Sequence, residues 1–131
     1  MSYQKNILET TENNTNFRTV LFTGQKSQLV VMDIKPGEEV GLETHDHVEQ
    51  TLFFLSGHGK ALLNGVETVV GAGDVVVVTP GTEHNFINTA DESLKIYTVY
   101  APANHIDGRV HVTMQDAIAD DEDEEFGHQV S

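Results

Sequence analysis

Cysteine is absent from the 131 residues, so the chain can form no disulfide, offer no thiolate to a metal and use no Cys nucleophile. Stability must come from a core, helped at most by a bound metal or by subunit contacts. Basic residues are scarce: seven Lys and Arg, scattered singly, stand against 21 Asp and Glu, for a net charge of −14. A chain so charged repels phosphate backbones and anionic lipid, which argues against nucleic-acid and membrane-surface partners. Long apolar runs are also missing. Nothing approaches the roughly 18 consecutive apolar residues of a membrane span, and Met1 to Glu12 lacks the basic segment and apolar run of an export signal. The expectation is a soluble, cytoplasmic protein. Hydrophobic residues make up 38% of the chain, which implies that part of it lies outside the core.

What is present is punctuation typical of β-structure. Short runs rich in β-branched and aromatic residues (Phe17 to Thr23, Gln28 to Ile34, Gln50 to Leu55, Lys60 to Leu63, Val66 to Val70, Val75 to Val78, His84 to Asn88, Ser93 to Tyr100) alternate with turn residues. Asn64-Gly65 is the strongest turn signal, because both central residues of a type I′ hairpin need positive φ. Helical periodicity is nearly absent before residue 113. The reading is one all-β sandwich or barrel over residues 17–112, preceded by an Asn- and Thr-rich arm at 1–16 and followed by a tail at 113–131. In the tail, Thr113 is placed to cap a short helix. After it, Asp120 to Glu125 are six consecutive carboxylates, expected to stay solvated and mobile.

The residues that carry chemistry lie in Glu43-Thr44-His45-Asp46-His47-Val48-Glu49-Gln50. On an extended strand His45 and His47 point to one side and can offer both imidazoles to one ion. A third histidine, His84, opens a later strand that a closed sheet can bring alongside. Three neutral imidazoles without Cys suit divalent Zn, Mn, Fe, Co, Ni or Cu rather than Ca or Mg.

These residues resemble the two motifs of the cupin superfamily. The first appears as Pro36-Gly37, His45-x-His47, Gln50, Gly57 and Gly59; the second as Gly73-Asp74, Pro80-Gly81, His84 and Asn88, with Asn64-Gly65 in the hairpin between them. The resemblance implies a double-stranded β-helix (cupin or jelly-roll) barrel. It also implies a divalent metal held by His45, His47, Gln50 and His84. Three departures accompany it. Gln50 stands where the family has Glu, only Val48 and Glu49 separate it from His47, and Thr79 occupies the family's proline position. Strict alternation places Glu49 on the face of His45 and His47, whereas the family spacing favours Gln50. With Gln50 as ligand the donor set is neutral, and Glu49 is left as the base.

The resemblance implies a metal-dependent enzyme acting on a small organic molecule, by oxygenase-like or enol/enolate chemistry. The alternatives are a sugar-type isomerase or epimerase and a non-catalytic metabolite- or metal-binding module. Lys60 and Lys95 are the cations near the expected site, little to hold a phosphate. A homodimer is expected, with Ser2 to Asn16 adding to a partner's sheet. His58 is expected to be exposed, Asn88 to tie a turn to the backbone, and His105 or His111 to approach the barrel mouth or a subunit boundary. Leu52, Phe54, Val76, Val78, Phe86 and Ile96 or Tyr97 are the expected core or pocket lining.

Overall fold

The structure is a computed structural model and describes residues 1–130; Ser131, the end of the expected tail, lies outside them. In chain order the elements are α1 (Ile7–Asn13), β1 (Arg18–Thr23), β2 (Gln28–Ile34), β3 (Glu49–Ser56), β4 (His58–Leu63), β5 (Val66–Gly71), β6 (Val75–Val78), β7 (His84–Ile87), β8 (Leu94–Ala101), β9 (Val110–His111), α2 (Met114–Ala119) and α3 (Asp121–Val130). The strands form a six-stranded sheet, ordered β6-β3-β8-β2-β1-β9, and a three-stranded sheet, ordered β5-β4-β7. All named pairings are antiparallel. The all-β barrel expected from the turn spacing is what forms.

Period-2 patterning explains how the sheets face each other. Along β3, Gln50, Leu52 and Phe54 are buried while Glu49 and Ser56 are exposed, so one face is turned inward. Leu52, Ala61, Phe86, Leu94 and Ile96 are fully buried between the sheets, with Phe54 and Val78 beside them. Tyr97 faces the other way and stacks on Phe53, ring centroids 4.9 Å apart. The hairpin joining β4 to β5 is the expected one: Leu63 pairs with Val66, and Asn64 and Gly65 take φ of 49° and 80°. The two glycines that follow Gln50 are needed for close approach. A Cβ on Gly57 would run into the Ser93 carbonyl, and one on Gly59 into that of Ile87.

The two ends of the chain depart from expectation. The N-terminal arm, in which no element was expected, carries α1, capped by Asn6, whose side chain accepts from the Glu9 amide at 3.0 Å. The helix packs on β2, β3 and β8 of its own chain. Lys95 Nζ fastens it there by donating to the carbonyls of Glu12 (2.6 Å) and Asn14 (2.8 Å).

At the other end, Thr113 caps α2 as expected, in a capping box with Asp116. The acidic run, expected to stay solvated and mobile, opens α3. Four of its acids occupy the first turn of that helix, where the backbone dipole favours negative charge. Three find basic or imidazole partners: Asp120 meets Arg109 at 3.0 Å and His111 at 2.9 Å, Glu122 meets Arg109 at 2.8 Å, and Asp123 meets His105 at 2.8 Å. These contacts supply what composition alone withholds. Among the described residues no helix is long and apolar enough to cross a membrane.

Candidate functional site at one end of the barrel

The segment carrying His45 and His47 is not a strand. It joins the smaller sheet through isolated bridges of Glu39 to Ile87 and Glu43 to His84 and through the Asn85 side chain, which bonds Gly41 and Glu39, and it bends at Asp46 and His47. The Glu43 bridge is closed by two backbone hydrogen bonds, Glu43 N to His84 O at 3.0 Å and His84 N to Glu43 O at 2.8 Å. The Gly81 amide, in the turn before β7, donates to the His45 carbonyl at 2.7 Å. These ties bring His45 and His84 together, 7% and 2% exposed, with ring centroids 5.5 Å apart. The bend then turns His47 out into solvent. The same-face argument fails here because it presumed an extended backbone that the chain does not adopt.

Gln50 is buried on the inward face of β3 and Glu49 is exposed on the outward one. Glu49 is therefore neither a ligand beside Gln50 nor a base within the barrel. The orientation of the Gln50 amide follows from its neighbour. Thr98 Oγ1 spends its proton on the Thr51 carbonyl at 2.8 Å, so it accepts from Gln50 Nε2 at 3.2 Å, and the amide oxygen of Gln50 points elsewhere. His84 Nδ1 lies 2.9 Å from the Thr82 carbonyl, which places the proton there and leaves Nε2 as the acceptor. Burial lowers the His84 pKa, against the raising effect of that carbonyl, and keeps the ring neutral. The expected four-donor set does not assemble, since His47 stands apart. His45, Gln50 and His84 are the inward donors that remain.

A cavity of about 460 Å³ opens between the Gly37–His45 segment and helices α2 and α3. Phe17, Val40, Leu42, Met114, Ala117 and Ile118 give it apolar walls; Arg18, Glu43, His45, His105 and Asp123 supply its polar groups. Glu43 Oε2 is 3.0 Å from His45 Nε2. Burial pushes the Glu43 carboxyl up, but the His45 hydrogen bond and the positive fields of His45, Arg18 and His105 outweigh it and hold the group below its ordinary value. A carboxylate and an imidazole in contact, both facing a cavity, form a couple able to move a proton.

Behind this couple runs a buried relay. Burial pushes the Tyr100 hydroxyl up to about 12, so it stays protonated and donates to His105 Nε2 at 3.3 Å. His105 Nδ1 in turn donates to Asp123 Oδ2 at 2.8 Å, while Asp123 Oδ1 accepts from the Ile106 amide. Burial, together with the Arg18 charge, brings His105 down to about 4 despite Asp123. Arg18 is the hub. Its positive charge acts on the Tyr100 hydroxyl, and its Nη1 donates to His111 Nδ1 at 3.3 Å across the β1–β9 pair. That fixes the His111 tautomer, so its Nε2–H donates to Asp120 at 2.9 Å. His111, Asp120 and Asp123 can each present one ligand atom within 4.8 Å of the others, a His/Asp group with the spacing of a metal site.

Arg18, Glu43, Tyr100 and Asp123 were not anticipated. Glu43 stands two residues before His45, a spacing that signals a shared face. Arg18 and Asp123 carry no local signal, because only the closed fold joins β1 to α3. Asn88 does what was expected of it, donating from Nδ2 to the carbonyls of Ile34 and Glu92, both at 2.8 Å. His58 is exposed, as expected.

The family model described as Cupin domain matches residues 30–100, more than half of the chain. The chain belongs to the cupin family. This cupin is 42% identical over 121 residues to the Bacillus subtilis protein YrkC, an alignment covering 87% of this chain and 64% of the relative, so the chain spans less than two thirds of that protein. It superposes on the crystal structure of BH2720 from Bacillus halodurans with a TM-score of 0.88 and 34% identity, covering 91% of this chain and 95% of that one. Over 68 residues it is 32% identical to the oxalate-binding protein of Thermotoga maritima, covering 52% of this cupin and 56% of that protein.

Proposed function

We propose that this cupin is an enzyme that moves a proton on a small, enolisable carbonyl compound bound in the cavity beside α2 and α3. The observation that carries the reading is the Glu43–His45 contact of 3.0 Å on the cavity wall. Glu43 kept ionised is a competent base, and the imidazole beside it can take up or return the proton as an enolate forms and collapses. The positive charge of Arg18, on the same cavity, favours the build-up of negative charge on the ligand as the enolate forms. Of the two chemistries the sequence suggested, this geometry supports the enolate one more directly than an oxygenase. The oxalate-binding relative supports a small oxygen-rich ligand.

The test is exchange of carbon-bound hydrogen for deuterium, followed by proton NMR in D2O with pyruvate and with hydroxyacetone. The wild-type protein is expected to accelerate exchange. Glu43→Gln and His45→Ala are each expected to lose about 10²-fold or more of that rate, while Glu49→Gln keeps it. Equal rates in all four proteins would end the proposal.

A second reading is favoured by the proximity of two buried imidazoles: a divalent ion held by His45 and His84 with the Gln50 amide oxygen, where a Lewis acid would polarise the same carbonyl. Elemental analysis separates the readings. If this one is correct, metal content falls in His45→Ala and His84→Ala and is unchanged in His47→Ala.

A further inference from the structure

Arg18 is 8% exposed and lines the cavity, yet no carboxylate among the described residues comes within 4.0 Å of its guanidinium. Among the described residues it donates to a neutral acceptor, His111 Nδ1, and lies 5.3 Å from the centre of the Phe17 ring, and its Nε–H has no acceptor. A buried cation left without a counterion is costly, and the cost is relieved by an anion arriving in the adjoining space.

The acids around the cavity do not fill that role. Glu39 accepts from Asn85 Nδ2 at 3.2 Å, both oxygens of Asp123 are engaged by His105 and Ile106, and Glu124 is exposed. Glu43 is turned to His45; it feels the Arg18 charge without touching it. A guanidinium and a proton-transferring couple thus face one cavity from separate places, as needed for a ligand with an anionic end and a reacting end.

We infer that the ligand of this cupin is a small carboxylate whose carboxylate group is held by Arg18, with its reacting carbonyl turned toward Glu43 and His45. The inference deepens the proton-transfer reading and rests on it for the orientation of the ligand. Arg18 is a positioning residue here: it makes the charge-assisted hydrogen bonds, and its planar fork matches a carboxylate as no Lys does.

The test is calorimetric binding of pyruvate and of its neutral amide, pyruvamide, to the full chain. Wild-type protein is expected to bind the acid at least tenfold more tightly than the amide. Arg18→Gln should abolish that preference by weakening acid binding to the level of the amide, and Arg18→Lys should retain part of it. Equal binding of acid and amide, binding of neither, or a preference that survives Arg18→Gln would overturn the assignment. Should Arg18→Gln fail to fold, as judged by near-UV circular dichroism, the wild-type comparison and Arg18→Lys still decide. The two proposals fail differently. Deuterium exchange that persists for hydroxyacetone without any acid preference removes the Arg18 assignment alone; acid preference without exchange removes the proton-transfer reading alone.

Discussion

The barrel interior and its helix-covered end both bury side chains, but they are held together by different physics. Between the sheets, Leu52, Phe54, Phe86, Leu94 and Ile96 exclude water from one another, a contribution that is indifferent to pH and needs no particular partner. At the covered end the buried groups are Arg18, His105, His111 and Asp123, each useful only while its neighbour is present in the right protonation state. The first arrangement tolerates volume-conserving change; the second tolerates almost none. The difference teaches where specificity is bought: a polar cluster that costs desolvation is kept at the end that has a cavity to serve.

The largest expected effect belongs to the interior. Phe86→Ala removes a fully buried ring packed near Phe54, with centroids 5.8 Å apart, and should cost about 3–5 kcal/mol. Urea unfolding at pH 7 and at pH 5 should give the same loss. A loss that varies with pH would mean the two regions are not energetically separate.

The covered end should respond to acid. His105 has a folded pKa of about 4, below its ordinary value of roughly 6.5. Between those values the unfolded chain binds the proton that the folded chain refuses, so stability is full above about pH 6.5 and declines as pH falls toward 4. The gap corresponds to at most about 3 kcal/mol. Asp123 acts in the same direction: burial raises it, but His105 and the Ile106 amide together hold it low, and its share is lost when acid protonates it. The charged and titratable groups facing this pair are Arg18, Glu43, Tyr100, His111 and Asp120. Denaturant melts from pH 7 to 4 should show the decline, and His105→Gln should flatten it. A decline of unchanged steepness would place the sensitivity elsewhere.

Asp123→Ala should follow, at about 1–3 kcal/mol, because it leaves the His105 Nδ1–H and the Ile106 amide without an acceptor. Amide hydrogen exchange should rise in α3 more than in β3 or β8. Uniform loss of protection would show that the covered end and the barrel unfold as one unit.

The same contrast decides what could be read in advance. The barrel was legible because its determinants are local: Asn64-Gly65 sets a turn, alternation along Gln50, Leu52 and Phe54 sets a face, and the glycines at 57 and 59 admit neighbouring backbone. Gln50 was reached through the family spacing, against a strict alternation that pointed to Glu49, and it and His84 are both buried. His47 misled because two residues of spacing define a shared face only if the backbone between them is extended, and Asp46 is in a bend. Arg18, Asp120 and Asp123 were hidden by a different cause. Six adjacent acids repel one another in isolation, and only when β1, the segment around His105 to His111 and α3 meet do cation and imidazole partners reverse the sign of that term.

The smallest expected effects are at His47 and Glu49, and they sharpen the comparison most. Both are exposed, and both belong to the eight-residue segment whose composition pointed to chemistry. Surface substitutions of this kind stay within about 0.5 kcal/mol, so His47→Ala and Glu49→Gln should leave the melting curve and deuterium exchange as in the wild type. His45, two residues away, should lose exchange. A large functional effect at His47 would mean that the bend at Asp46 straightens when ligand or metal arrives, bringing the two imidazoles back to one face. That outcome would turn the boundary between solvent and the covered end into a moving one.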